Sequence, residues 1–123
     1  MKKVILDTNA VMEMVEFKID LFRELERILD IPYQVGVVEG TIKELEEIIK
    51  NQRLRFSRAA KMGIALLKAK KVNVLSGKGK VDDVLVEYSH QGALVLTQDK
   101  ELKKRLTRPF LTIRQKKTVV MIR

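Results

Sequence analysis

Short apolar stretches alternate with amphipathic ones along the whole chain. Lys2–Leu6 is a β-prone apolar run cut off by Asp7-Thr8-Asn9, which predicts a short buried strand. A helix is expected over about residues 9–16. A second is expected from Phe17 to Leu29, where Phe17, Leu21, Phe22, Leu25, Ile28 and Leu29 recur at helical spacing. Asp30-Ile31-Pro32 ends it, and Gln34–Val38 predicts a second strand. Gly40 breaks that strand. Thr41, with Glu44 three residues later, has the capping-box pattern that opens a helix. Arg53–Lys71 predicts a long helix whose apolar face is Phe56, Ala59, Ala60, Gly63, Ile64, Leu66 and Leu67.

The second half repeats the alternation. Val72–Leu75 reads as a strand, and Ser76-Gly77-Lys78-Gly79-Lys80 as a flexible basic loop. Asp82 is placed to cap a helix that buries Val81, Val84, Leu85 and Tyr88, and Gly92 is placed to close it. Ala93–Thr97 predicts a further strand, followed by a helix from about Asp99 to Leu106 that Pro109 terminates. Leu111–Arg114 and Thr118–Ile122 are two late strands, joined by Gln115-Lys116-Lys117 either as a hairpin or as a bridge to a sheet edge. Strand–helix alternation with short apolar strands predicts an α/β fold: a mostly parallel sheet of about five strands with helices on both faces. At 123 residues, with no repeat and no linker, residues 1–123 are expected to form one domain.

Composition narrows the chemistry. With 46% hydrophobic against 33% charged residues, the chain can bury a core. The absence of cysteine excludes disulfides and thiolate metal sites, and the single histidine, His90, excludes a multi-histidine cluster within one chain. His90 itself reads as a partly buried or surface helix residue. No apolar run approaches the roughly 18 residues of a membrane span. The apolar run in MKKVILDTNA is too short for a signal-peptide core and is broken by Asp7, so a cytoplasmic protein is expected. The formal net charge is +9. Residues 100–123 hold nine basic side chains against one acid, Glu101. Of these, Lys103, Lys104, Arg105, Arg114, Lys116 and Lys117 are candidate contacts to nucleic acid. So is the run Lys50, Arg53, Arg55, Arg58 and Lys61, which no acid interrupts.

Against that background four acids stand out. Asp7 and Asp99 follow strands; Glu44 and Asp83 lie in the first turns of expected helices. Parallel strands would bring all four to one edge of the sheet, where sites in such folds form. Carboxylates gathered there repel one another unless a cation sits among them, and oxygen ligands suit Mg²⁺ or Mn²⁺. Such ions drive phosphoryl displacement, and the basic remainder suits a phosphate polymer. Each acid also has a plainer role. Glu44 can complete the Thr41 cap, Asp82 is most simply an N-cap, Asp83 can face the helix dipole, and Asp99 can cap its helix. Asp7 is harder to explain away, because a carboxylate against an apolar strand end needs a partner. Thr8, Asn9 and Thr97 are placed to orient carboxylates or waters, and Asp82 is a further possible ligand.

ILDTN, TIKELEEI, VDDVLVEYS and LVLTQDKELKKRL, in that order and spacing, resemble a PIN-domain ribonuclease over essentially the whole chain. The resemblance implies a PIN-like fold and one or two Mg²⁺ or Mn²⁺ ions. It also implies hydrolysis of RNA phosphodiester bonds, with Asp7, Glu44, Asp83 and Asp99 as catalytic metal ligands. Asp83 fits the family pattern through Asp83-Val84-Leu85-Val86, which leaves Asp82 as the extra acid. FKIDLFRELERIL, the Asp82-Asp83 doublet and IRQKKTVVMIR resemble archaeal relatives of the small-subunit processome nuclease, implying a ribosomal precursor RNA as substrate. The chain lacks the zinc module that eukaryotic relatives often carry. VapC-type toxins share the four acids, which would imply an antitoxin partner. An inactive RNA-binding assembly module is a third reading. The family resemblance also implies a homodimer.

Overall fold

The computed structural model describes residues 1–123. In chain order the elements are β1 (Lys2–Leu6), α1 (Thr8–Glu16), α2 (Leu21–Ile28), β2 (Tyr33–Val38), α3 (Glu39–Asn51) and α4 (Leu54–Ala69). There follow β3 (Asn73–Leu75), α5 (Val81–His90), β4 (Leu94–Leu96), α6 (Lys100–Arg105), β5 (Phe110–Arg114) and β6 (Thr118–Ile122). They build an α/β fold around one six-stranded sheet in the order β3-β2-β1-β4-β5-β6. The first five strands run parallel and β6 is antiparallel to β5. The sixth strand arises because Gln115 and Lys116 both take left-handed φ values, 55° and 54°, and so turn a hairpin.

Strand alternation divides the core in two. In β1, Val4 and Leu6 face one side and Ile5 the other; in β4, Leu94 and Leu96 oppose Val95. The larger side joins these residues to Val11, Met14, Leu21, Leu25, Leu45, Ala60 and Leu67 from α1 to α4. The smaller holds Val84, Leu85, Leu102 and Leu106 from α5 and α6. Helices thus cover both faces, as the short apolar strands require. Gly63 lets α4 approach α1: a Cβ there would lie 2.9 Å from Val11 Cγ1.

Three local expectations are corrected. The second helix starts at Leu21, not Phe17, because Lys18 adopts φ 55° and Asp20 then caps the helix by accepting from Arg23 N at 3.1 Å. Thr41 does not cap α3. The helix already begins at Glu39, which puts Thr41 inside its first turn and fully buried. Asp82 is not an N-cap, since α5 starts at Val81 from an uncapped Lys80. By contrast Gly92, at φ 101°, follows α5 as a closing glycine should.

The outer edge of β6 is finished by side chains. Glu24 Oε1 accepts from Val119 N at 2.9 Å, and Arg27, paired with Glu24, donates to Val119 O at 3.0 Å. The Arg27 hydrogen bond first, then that from Val119, holds the Glu24 carboxyl below its ordinary range. A carboxyl with a lowered folded pKa stabilises the fold fully above its unfolded value and loses that contribution as pH falls through the folded one. Glu24→Gln is therefore expected to lower Tm at pH 7 by about 2–4 °C. Thermal melts should show the gap from wild type closing as the pH falls through the lowered pKa of Glu24. A gap independent of pH would show that the charge on Glu24 is irrelevant.

Candidate active site

The sheet order reverses beside β1, which runs out to β2 and β3 on one side and meets β4 and β5 on the other. Open α/β sheets leave a crevice at the carboxyl ends of the strands flanking such a reversal. Here Asp7 follows β1 and Thr97 follows β4, locked together by Asp7 N donating to Leu96 O at 3.0 Å. A cavity of about 410 Å³ opens at that point. Its lining is Asp7, Thr8, Asn9, Glu44, Glu47, Ile48, Asn51, Gln52, Asp82 and Asp99.

Asp7 sits deepest, at 5% exposure. Its Oδ1 caps α1 by accepting from Thr8 N at 2.8 Å, and its Oδ2 accepts from Thr97 Oγ1 at 2.7 Å. Thr97 Oγ1 in turn accepts from Asp99 N at 3.1 Å, so one hydroxyl ties the ends of β1 and β4 to the start of α6. Burial pushes the Asp7 carboxyl above its ordinary pKa. The two hydrogen bonds oppose the shift, and the charges of Asp82 and Glu44 add to it. Asp99 caps α6, with Oδ1 accepting from Glu101 N and Leu102 N.

Glu44 is held by a threonine cluster instead of a capping box. Thr8 Oγ1 lies 2.5 Å from Glu44 Oε1 and 3.2 Å from Thr41 Oγ1; its single proton goes to the carboxylate. Thr8 thereby links the first turn of α1 to the first turns of α3.

The adjacent aspartates part company. Successive helical residues point about 100° apart, so only one of the two can face the cavity. That one is Asp82, which belongs to none of the four ion pairs in the protein. Asp83, the residue expected at the site, instead binds Arg105 Nη2 at 2.7 Å on the exposed surface. Of the Asp82-Asp83 doublet, the cavity is thus lined by Asp82 and not by Asp83. Glu47, Asn51 and Gln52 are cavity residues that the sequence reading missed. Glu44, Glu47, Ile48 and Asn51 form one stripe of α3 at i, i+3, i+4 and i+7, a spacing visible in the sequence, and Gln52 follows at the C-cap.

None of the basic residues lines this cavity. Lys50 and Arg53 flank Asn51 and Gln52 in the chain, and both are exposed. Arg55 pairs with Glu16 at 3.5 Å. Burial and Glu16 raise the Glu13 pKa, while Lys116 and Lys103 lower it, so these lysines stand near α1. Lys116 also lies over the Phe17 ring, 4.9 Å from its centre. Arg58, Lys61, Arg114 and Lys117 are exposed and free of ion pairs. Lys104 is paired with Glu101, and Arg105 is occupied by Asp83.

Five carboxylates line the cavity and no lysine or arginine does, in a protein of net charge +9. That donor set fits a hard cation with oxygen preference. No three of these acids lie close enough together to hold an ion by themselves.

A family model described as a PIN like domain matches residues 4–116. The chain belongs to the PIN-like domain family. Among PIN-like proteins it is 28% identical to "Ribonuclease VapC4" of Methanocaldococcus jannaschii, over 95% of this chain and 94% of that protein. A solved structure, the PIN domain endonuclease Utp24, superposes with a TM-score of 0.77 at 26% identity. That match covers 98% of this chain and 91% of the other. The PIN-like domain and its sheet thus extend over nearly the whole sequence. No helix in it is long and apolar enough to cross a membrane.

Proposed function

We propose that this PIN-like protein is a Mg²⁺- or Mn²⁺-dependent endoribonuclease. The observation that carries the proposal is a cavity lined by five carboxylates and by no lysine or arginine, set in a strongly basic chain. The ribonuclease and endonuclease relatives support it. Asp7, Glu44, Asp82 and Asp99 would hold the cation, and Glu47 stands beside them. When bound, the ion supplies positive charge to a phosphoryl oxygen and an acidified water for in-line attack.

The chain's own residues do the positioning. Thr97 and the Thr8 amide fix both oxygens of Asp7, so this carboxylate is oriented before any ligand arrives. The Thr8 hydroxyl does the same for Glu44. Lys50 and Arg53, which flank the cavity residues Asn51 and Gln52, would hold the phosphodiester backbone beside the cavity, with Lys103 and Lys116 near α1 extending the positive surface. Asp7 and its neighbours leave no local cation to pair with, so a divalent ion should bind the folded protein selectively.

A panel of structured and unstructured RNAs, ribosomal precursor fragments included, tests this. Discrete cuts with Mn²⁺, abolished by EDTA, are expected. The ion should also raise Tm, since at a hundred times its Kd a ligand specific for the folded state adds about 2.7 kcal/mol. Cleavage that persists in EDTA would overturn metal dependence. The VapC relative motivates a second reading, a toxin with an antitoxin partner. Growth arrest on expression, relieved by Asp7→Asn, would favour that reading over ribosomal RNA maturation.

A further inference from the structure

A second hollow, of about 300 Å³, adjoins the carboxylate cavity. Asn9, Met12, Glu16, Ile48, Gln52 and Phe56 line it, and Asn9, Ile48 and Gln52 line both spaces. The two are therefore one continuous surface with two chemistries. On the carboxylate side the lining is almost wholly polar. On this side Met12, Ile48 and Phe56 provide an apolar wall, and two exposed amides, Asn9 and Gln52, stand at the junction.

We propose that this hollow is a pocket for one unpaired nucleobase next to the scissile phosphate. The inference rests on the endoribonuclease reading above. Single-stranded RNA is read by splaying bases onto aromatic or guanidinium planes and bonding their edges. Phe56 offers the ring. Asn9 and Gln52 each offer a donor and an acceptor of the kind a base edge needs. Arg55 sits with its guanidinium carbon 5.4 Å from the centre of the Phe56 ring and is braced by Glu16. An exposed guanidinium at the rim suits the phosphate that follows the held base. A hollow with an apolar wall, amides at one end and a guanidinium at its edge matches a nucleotide better than it matches a bare phosphate. Its junction with the carboxylate cavity puts that nucleotide beside the reacting bond.

The test uses a short single-stranded RNA with a mapped Mn²⁺-dependent cut, carrying an abasic nucleotide at each flanking position in turn. One abasic position beside the cut should slow the wild type about five- to a hundred-fold, the range of base–aromatic stacking. Phe56→Ala should bring that ratio of intact to abasic rates close to one. Phe56→Tyr, which keeps a ring, should restore it. Should Phe56→Ala fail to fold by thermal melt, Gln52→Ala on the exposed junction replaces it and should flatten discrimination among the four bases at that position. A wild type indifferent to abasic substitution everywhere, while still cutting, overturns the base pocket and leaves the nuclease standing. So does a Phe56→Ala protein that keeps the full ratio, as it would if the hollow served a protein partner. No metal-dependent cut in any RNA overturns the nuclease reading and the pocket with it.

Discussion

Asp7→Asn is expected to reduce RNA cleavage by about a thousandfold or more while raising the melting temperature of the metal-free protein. The two effects share one cause. Asp7 is buried, and its charge is disfavoured by burial and by Asp82 and Glu44. Asparagine keeps an oxygen to accept from Thr8 N, so α1 stays capped; Thr97 Oγ1 would accept from the new amide and lose the carboxylate that takes its own proton, a cost that offsets part of the gain. What disappears is the negative charge, which the proposed ion needs and the empty fold does not. The sign with pH follows. Below the unfolded pKa of about 3.9 both states hold the proton and Asp7 contributes nothing. As pH rises the unfolded chain releases it first, and above the raised folded pKa the destabilisation is complete. The variant should thus melt higher than wild type at pH 7 in EDTA, by about 3–5 °C for each kcal/mol relieved, and equally near pH 3. Saturating Mn²⁺ should reverse the order. Undiminished cleavage by the variant would sink the catalytic assignment; a lower Tm at pH 7 in EDTA would sink the electrostatic one.

The second large effect separates two neighbouring residues. Asp82→Asn removes a cavity carboxylate that has no ion-pair partner, and cleavage should fall by about a hundredfold or more. Asp83→Asn removes only a surface partner of Arg105. Exposed pairs of that kind contribute at most about 1 kcal/mol, so activity and stability should stay within about fivefold of wild type. Released Arg105 should, if anything, tighten RNA binding. Rates measured side by side with Mn²⁺ decide the matter, and the opposite ranking would return the site to Asp83.

These two aspartates also show where sequence reading reaches its limit. The strands, their order of appearance and the position of Asp7 and Asp99 at strand ends are all legible in VILDTN and LVLTQD, because apolar runs and abrupt acid punctuation are local signals. Which of Asp82 and Asp83 faces the cavity depends on where α5 begins, and a shift of one residue turns a side chain by about 100°. The Thr41-to-Glu44 spacing imitates a cap, yet α3 starts two residues earlier, and burial converts Thr41 into part of a hydroxyl cluster. Lys18 breaks a continuous apolar pattern by adopting a left-handed φ that no periodicity reports. Glu47 and Asn51 were readable as a stripe with Glu44 once a helix was granted there.

The Glu24–Arg27 pair has a bearing on how copies of the protein meet. An uncovered outer strand is a template on which another chain can lay its own backbone. At Val119 both the amide and the carbonyl are taken up by α2, which gives the sheet a terminus in place of a growth front. Strand addition by another copy is thereby blocked at Val119. Any lasting association there has to be made through side chains.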